Sequence, residues 1–554
     1  MPRPSNALIA ERRDQILPVL SAAEIDRIRR FGEVRGYRAG EALFAIGDKA
    51  PGMFVLLEGT VLVIRRDPLG AEATMAELTA GMFLAEFGQI AGQPALVEAQ
   101  AGSDVEALVI PRERLRDLIV AEADLGERIM RALILRRTIL IEEGAGGPVL
   151  VGSATDARIV LLQDFLLRNA FPHQLFDPDR EADAQRLLDR FHVGKEDLPI
   201  AICPNGTILR DPGEAALARC IGLLYDVDAA RLYDVAIIGA GPAGMAAAVY
   251  GASEGLAVLL LESRVFGGQA SASARIENYL GFPTGISGRA LMGRAYAQAQ
   301  KFGAEMVLPA LAEHMEIVGG GFQLTTRDGQ RPRARTVVIA SGAVYRRPDI
   351  PGLDEYEGSG VHYWASPVEA RLCAGEEVAL VGGGNSAGQA AVYLAGQVRK
   401  VHMLVRGASL ADSMSHYLVE RIAALTNIEV HVQSEVVAIE GERGVLRTVI
   451  WRDNRTNQQS RLAVGHLFLF IGADPNTGWL GRCDVALDNR GFVLTGAKAG
   501  ESRQPLETSL AGVFAIGDVR SGSTKRVAAA VGEGAQVVPL LHDILSSPLE
   551  AVES

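Results

Sequence analysis

Three glycines, Gly239, Gly241 and Gly244, stand at G-x-G-x-x-G spacing, with Pro242 and Ala243 between them and Glu262 downstream. These residue types at this spacing suit the recognition of a dinucleotide. The first glycine permits a tight turn, the second lets a pyrophosphate approach the backbone, and the third lets the next helix pack close to the strand. An acid at Glu262, 23 residues after Gly239, can accept hydrogen bonds from a ribose diol. A second set, Gly382, Gly384 and Ala387 with Asn385 and Ser386 between, gives G-x-G-x-x-A. The same count from Gly382 lands on Val405, and Arg406 follows. The ribose acid is therefore missing, and a guanidinium stands beside its place. That arrangement favours a 2′-phosphate, hence NADPH, with NADH as the alternative. The four cysteines, Cys203, Cys220, Cys373 and Cys483, include no CxxC pair. No metal site is predicted.

The elements that must position these residues are legible around the first motif. Residues 235–238 are a β-branched, uncharged run, as a buried parallel strand requires. The Ala-rich stretch 245–255 reads as the helix whose N-terminal amides face the phosphates, and 257–261 reads as the next strand. A chain of 554 residues holds about three or four domains. A composition of 48% hydrophobic and 22% charged residues with 61 Gly suits an α/β protein. The net charge of −12 argues against nucleic acid or an anionic membrane surface as partner. No apolar run reaches transmembrane length, and MPRPSNALIAERR has no apolar signal core, so no membrane insertion is expected. So few cysteines point to a reducing, cytoplasmic setting.

Residues 31–110 carry short alternating runs, at 53–57, 60–64, 75–78 and 107–110, which predict an antiparallel barrel or jelly roll flanked by helices at 22–30 and 112–143. Gly40-Glu41, the LLEG of 56–59 and GMFLAEFGQIAG at 81–92 resemble the cyclic nucleotide-binding domain. The resemblance makes Glu86, where that family's glutamate holds the ribose hydroxyl, a candidate effector residue. The residue before it is Ala85 rather than glycine, and Ala95 stands nearest the place of the arginine that pairs the cyclic phosphate. A buried phosphodiester without that charge lacks compensation. The fold is expected and cyclic nucleotide binding is not; docking or dimerisation is the alternative use.

Beyond a hinge at 144–148, the order is strand 149–151, helix 157–169, strand 173–176, helix 181–191, strand 198–202 and helix 214–222. This is similar to the thioredoxin/glutaredoxin fold, with Pro199 where that family has its cis-proline. The redox-pair position reads Ser153-Ala154-Thr155-Asp156 and cannot exchange with a disulfide. A redox-inactive adaptor is expected, with Cys203 and Cys220 packed as small buried hydrophobes.

After the first glycine motif come Gly267-Gly268-Gln269, IENYLGFP at 276–283, Ala340-Ser341-Gly342-Ala343, FIGADPN at 470–476 and GVFAIGD at 512–518. The series resembles the low-molecular-weight thioredoxin reductase family over residues 232–545. The resemblance implies FAD held by Gly239, Gly241, Pro242, Ala243, Gly244, Glu262, Gly268, Gln269, Asn278 and Asp518, with Arg526 and Val527 beside the flavin ring. Asp518 would hold the ribityl chain; capping the next helix is its other reading. The family's CxxC window reads Ala365, Ser366, Pro367 and Val368 here, so no catalytic residue is assigned. Tyr363 and Trp364, just before it, either stack near the flavin or pack at the domain junction.

The expected fold is multidomain α/β: a barrel or jelly roll at 1–145, a thioredoxin-like unit at 148–228, a discontinuous Rossmann-like FAD domain at 232–350 and 471–548, and an NAD(P) domain at 351–470. The resemblance also implies a homodimer and rotation of the last two domains against each other. The expected function is an FAD-dependent NAD(P)H oxidoreductase that delivers electrons without a dithiol to a small redox protein, a quinone or oxygen. Two alternatives stand beside it. One is a redox or nucleotide sensor or scaffold with little turnover. The other is a thioredoxin-disulfide reductase in which Cys373 pairs with a distant cysteine.

Overall fold

The computed structural model describes residues 12–49, 52–66, 69–144, 146–273, 275–365, 367–442 and 444–546. The first region is built from two four-stranded antiparallel sheets. One runs in the order Glu33–Tyr37, Val105–Pro111, Gly52–Glu58, Phe83–Leu84; the other Ala42–Phe44, Glu98–Ala101, Thr60–Arg66, Glu72–Thr79. Phe54, Leu56, Val61, Leu78 and Val109 pack together as a core. The helical stretch predicted at 112–143 is two helices, Arg112–Ala121 and Ala123–Glu143, broken at Glu122.

A mixed sheet follows, in the order Gln174–Phe176, Val149–Val151, Ile200–Ile202, Ile208–Arg210. Its first pair is parallel and the others antiparallel. The helices Ala157–Arg168, Ala182–Phe191 and Glu214–Cys220 accompany it, and the Leu198–Pro199 peptide is cis. The strand Ile208–Arg210 is not legible in the sequence; it is three residues long, too short to show a period. Cys203 and Cys220 do not sit as independent thiols but form a disulfide, with Cα atoms 5.7 Å apart. Cys203 follows the strand Ile200–Ile202, and Cys220 ends the helix Glu214–Cys220. The return of that helix over the sheet brings the two within bridging distance, which a search for CxxC cannot find. The pairing also withdraws the cysteine argument for a reducing compartment.

Two parallel sheets carry the glycine motifs. In the first, Glu305–Val307, Val258–Leu261, Leu232–Ile238, Arg333–Ile339 and Val513–Ala515 run parallel, joined on one side by the hairpin Ala312–Val318 and Gly321–Thr326. Val258–Leu261 is buried at every position, as a strand covered on both faces must be. In the second, Val361–His362, Leu467–Leu469, Glu377–Val381, Lys400–Val405 and Ile428–Val432 are all parallel. The chain passes between the sheets through a two-stranded ribbon, Ala343–Tyr345 with Ala473–Pro475. Arg264 in the first glycine-motif region bonds back to the mixed-sheet region, to Asp164 at 3.1 Å and Glu214 at 2.7 Å. Among the described residues no helix is long and apolar enough to cross a membrane.

Candidate functional site: a cavity shared by two nucleotide motifs

A cavity of about 740 Å³ is lined by Gly239, Gly241, Pro242 and Ala243 of the first glycine motif and by Ser386 of the second, whose Gly382, Gly384, Asn385 and Ala387 lie outside the lining. At its first wall, the turn after Leu232–Ile238 puts Gly239 at φ +107°, and a Cβ there would lie 2.3 Å from the Ala340 carbonyl oxygen. A Cβ on Gly244 would lie 1.9 Å from the Gly239 carbonyl oxygen, so helix Pro242–Ser253 presses directly on the strand end. Gly241 is different: a Cβ there meets no protein atom within 4 Å, because it faces the cavity. This open cradle ahead of a helix with no side-chain cap fits a pyrophosphate.

Glu262 is buried and lines the same cavity. One carboxylate oxygen accepts from the Ala240 amide at 2.7 Å; the other accepts from Ser263 Oγ at 2.9 Å and the Arg264 amide at 3.1 Å. A carboxylate offers about four acceptor sites, so about one is left for a ribose hydroxyl. Gly268 and Gln269 line the cavity, and Gln269 Nε2 donates to the Ala343 carbonyl. Pro242, Ala243, Asp518, Arg526 and Val527 line it as well. Asn278 does not: it is exposed and lies outside the lining.

Burial pushes the Asp518 carboxyl above the usual carboxylate range. Among the described residues no donor reaches its carboxylate, while Lys525 Nζ donates to its main-chain carbonyl. An unsatisfied acceptor in a cavity fits a ligand hydroxyl. Such a hydrogen bond would favour the ionised form, so a flavin nucleotide whose hydroxyl met Asp518 would draw the pKa down and release a proton. FAD affinity is therefore expected to fall as pH drops into the raised titration range, by up to about tenfold per pH unit below it. Fluorimetric FAD titration between neutral and acid pH would show this slope, and Asp518→Asn would flatten it.

In the second motif, a Cβ on Gly382 would lie 2.5 Å from the Phe470 carbonyl oxygen, while Gly384 has open space around it. Asn385 Oδ1 accepts from the Ser415 amide at 2.7 Å, and Ala387 is buried under the turn. Ser386 and Gln389 of the helix Asn385–Ala395 enter the cavity lining beside Gly239 and Gly241. Val405, at the place of the ribose acid, is buried; Arg406 is exposed and pairs with no carboxylate among the described residues.

Residues 365–368, where the family resemblance places a dithiol, hold no cysteine. Ala365 is buried and lines the cavity, Ser366 lies outside the described residues, and Pro367 and Val368 open the helix Pro367–Leu372. Trp364 and Tyr345 line the cavity with ring centroids 6.3 Å apart, whereas Tyr363 stacks behind Tyr345 and donates to Glu357 at 2.6 Å. Of the two uses left open for these rings, Trp364 takes the cavity and Tyr363 the junction. Cys373 pairs with no distant cysteine: Cys373 and Cys483 are both free and buried. Burial pushes the Cys373 thiol up to about 11, so it is protonated at neutral pH and unsuited to exchange. Sequence reasoning misses Arg168, which reaches the cavity from the mixed-sheet region. No spacing connects it to either motif.

Outside the cavity, Glu86 is buried in an ion pair with Arg137 at 3.0 Å, and its other oxygen accepts from the Gly88 amide at 2.7 Å. Ala95 is buried where a phosphate-pairing arginine would stand. His402, Glu429 and His431 bring potential ligand atoms within 4.8 Å of one another, but Glu429 is already hydrogen-bonded to Lys400 and His402 to Glu377 at 3.0 Å.

Residues 233–534, more than half of the chain, match the family model for pyridine nucleotide-disulphide oxidoreductases. The chain belongs to that family. Residues 34–122 match the cyclic nucleotide-binding domain. Thioredoxin reductase of Bacillus subtilis is 33% identical over 307 residues, covering 55% of this chain and 92% of that protein. An alkyl hydroperoxide reductase polypeptide of Escherichia coli is 32% identical over 317 residues, covering 56% of this chain; the chain spans 58% of that relative's length. The crystal structure of Lactococcus lactis thioredoxin reductase in the FR conformation superposes with a TM-score of 0.53 at 30% identity, covering 56% of this chain and 99% of that one. The family is thus a thioredoxin reductase-like flavoprotein, here preceded by a cyclic nucleotide-binding domain.

Proposed function

We propose that the protein is an FAD-dependent NAD(P)H oxidoreductase that passes electrons from flavin to an acceptor without a CxxC relay. The observation that carries this reading is the single cavity joining Gly239 and Gly241 to Ser386 and Gln389. Ser386 of the second motif opens on the same space as Gly239 and Gly241, although Gly382, Gly384 and Arg406 lie outside its lining, and this shared wall supports transfer between two bound cofactors. When bound, FAD would supply the hydride chemistry between the nicotinamide and the acceptor. The protein's own residues do the rest. Gly239 and Gly244 fix the turn, Gly241 and the helix amides receive the pyrophosphate, Glu262 takes a ribose hydroxyl and Asp518 a ribityl hydroxyl. Trp364, Tyr345 and the buried Ala365 form the wall where the family carries its thiols. A homodimer remains part of the proposal on the family resemblance.

Arg406 beside Val405 favours NADPH over NADH. Arg406→Ala is expected to weaken NADPH binding by roughly 10- to 100-fold, the worth of one charge-assisted contact, and to leave NADH binding within about twofold. Parallel titrations with the two nucleotides check this.

An anaerobic titration of the FAD-loaded protein with NADPH, followed by flavin absorbance, tests the proposal. Full bleaching at one two-electron equivalent per flavin is expected. No bleaching by NADPH or NADH overturns the oxidoreductase reading. A requirement for two equivalents that falls to one in Cys203→Ser/Cys220→Ser overturns the dithiol-free route and makes that disulfide the electron outlet.

A further inference from the structure

Arg168 is the last residue of the helix Ala157–Arg168, in the mixed-sheet region rather than in either parallel-sheet region. Its side chain nevertheless lines the nucleotide cavity. Nη2 donates to Ser271 Oγ at 3.3 Å and lies 3.5 Å from the Gly268 carbonyl oxygen, beside the Gly268-Gln269 segment of the first motif region. The guanidinium carbon sits 5.6 Å over the Trp364 ring, next to the window where the family has its dithiol. Nε is buried and finds no acceptor among the described residues. Its charge is loosely matched: Asp164 is 3.9 Å from Nη1 but 3.1 Å from Arg264. The sealed Nε cannot meet a ligand, but the guanidinium is only half-buried and lines the cavity, and among the described residues Nη1 has no acceptor within hydrogen-bond distance, so it is the N–H open to a ligand there.

We infer that Arg168, Trp364 and Tyr345 form the acceptor subsite of this cavity, and that its occupant is a quinone. The inference rests on the oxidoreductase reading above and names its acceptor. The indole and phenol rings give a planar ring a stacking surface, and the guanidinium gives its carbonyl oxygen a donor. The donor matters more as the reaction proceeds. Two electrons and one proton leave the reduced flavin as a hydride, and one further proton comes from water. The two quinone C=O groups become the C–OH groups of the hydroquinone, and FAD is left oxidised. Negative charge grows on the carbonyl oxygen during transfer, and a fixed guanidinium stabilises it without reorganising. The upstream region thereby contributes to the site: Arg168 is the cation seated over the Trp364 ring.

The test uses the full chain loaded with FAD. Binding is read on the oxidised protein, without nicotinamide nucleotide, as the flavin absorbance change on adding naphthalene-2-sulfonate, a planar redox-inert anion. Saturable binding is expected, weakened by roughly 10- to 100-fold in Arg168→Met and less in Arg168→Lys, as for loss or retention of one charged donor. Trp364→Leu weakens it independently, which guards against an Arg168 variant that fails to fold. Stopped-flow reoxidation of the NADPH-reduced protein by 1,4-naphthoquinone-2-sulfonate is expected to outpace reoxidation by oxygen and to slow in the same variants. Probe affinity unchanged in both Arg168→Met and Trp364→Leu overturns the subsite. Quinone reoxidation no faster than oxygen overturns the acceptor class. A flavin that NADPH never bleaches signals failure of the oxidoreductase reading itself.

Discussion

Gly241→Ala is expected to yield a folded protein that has lost its flavin. The added Cβ meets no protein atom within 4 Å, and Gly241 has φ −70° and ψ −178°, open to any residue. Alanine in place of glycine at this helix N-cap costs less than about 1 kcal/mol. What the methyl meets is the pyrophosphate that the cradle is built to admit. Displacing it forfeits about two charge-assisted amide bonds, roughly 3 kcal/mol or more, hence at least about a 100-fold loss of FAD affinity. Gly244→Ala makes the contrast: its Cβ would lie 1.9 Å from the Gly239 carbonyl oxygen, so it disturbs the strand–helix contact itself. Equilibrium FAD titration and apo-protein thermal melting separate the two. Loss of flavin with an unmoved melting midpoint is expected for Gly241→Ala, and loss of both for Gly244→Ala. A Gly241→Ala protein that retains FAD at wild-type affinity would remove the phosphate assignment.

The glycine motifs are legible in the sequence because their constraints are local. A turn, a close backbone approach and a helix start are written within six residues, and the structure puts Gly239, Gly241, Gly244, Gly382 and Gly384 at such turns. The strands are legible for a related reason: a strand buried on both faces is apolar at every position, as Val258–Leu261 is. What escapes depends on residues far apart in the chain. The Cys203–Cys220 pair is made by a helix folding back over a sheet, and Arg168 reaches Ser271 across 103 positions. Asn278 fails in the opposite sense. It belongs to a motif that the resemblance assigns to FAD, yet it is exposed and stands outside the cavity that the other motifs line.

Glu86 shows the same limit with an energetic consequence. Sequence places it where a ribose hydroxyl would bind; the structure gives its carboxylate a partner from the helix Ala123–Glu143. Arg137 bonds Glu86 at 3.0 Å and Gln93 at 3.3 Å, reaches the Ala170 carbonyl at 3.3 Å, and lies over the Phe171 ring at 4.6 Å. Its neighbour Arg136 is half-buried, and desolvation draws its pKa down to about 10. Arg136 donates to the carbonyls of Ile16, Phe83 and Ala85. Two guanidinium groups therefore hold the segment around Glu86, one of them tied to the mixed-sheet region. Arg137→Met leaves Glu86 charged and unpaired in a buried setting and is expected to destabilise the protein by about 3–5 kcal/mol. Glu86→Gln/Arg137→Met removes both charges and is expected to recover most of that loss. Denaturant unfolding of the two variants and the parent reads the difference. Because Arg137 already takes the carboxylate, a saturating cyclic nucleotide should leave the parent's melting midpoint unmoved. A shift of several degrees would mean that the nucleotide displaces Arg137 from Glu86, and that the contact at Ala170 transmits its binding to the mixed-sheet region.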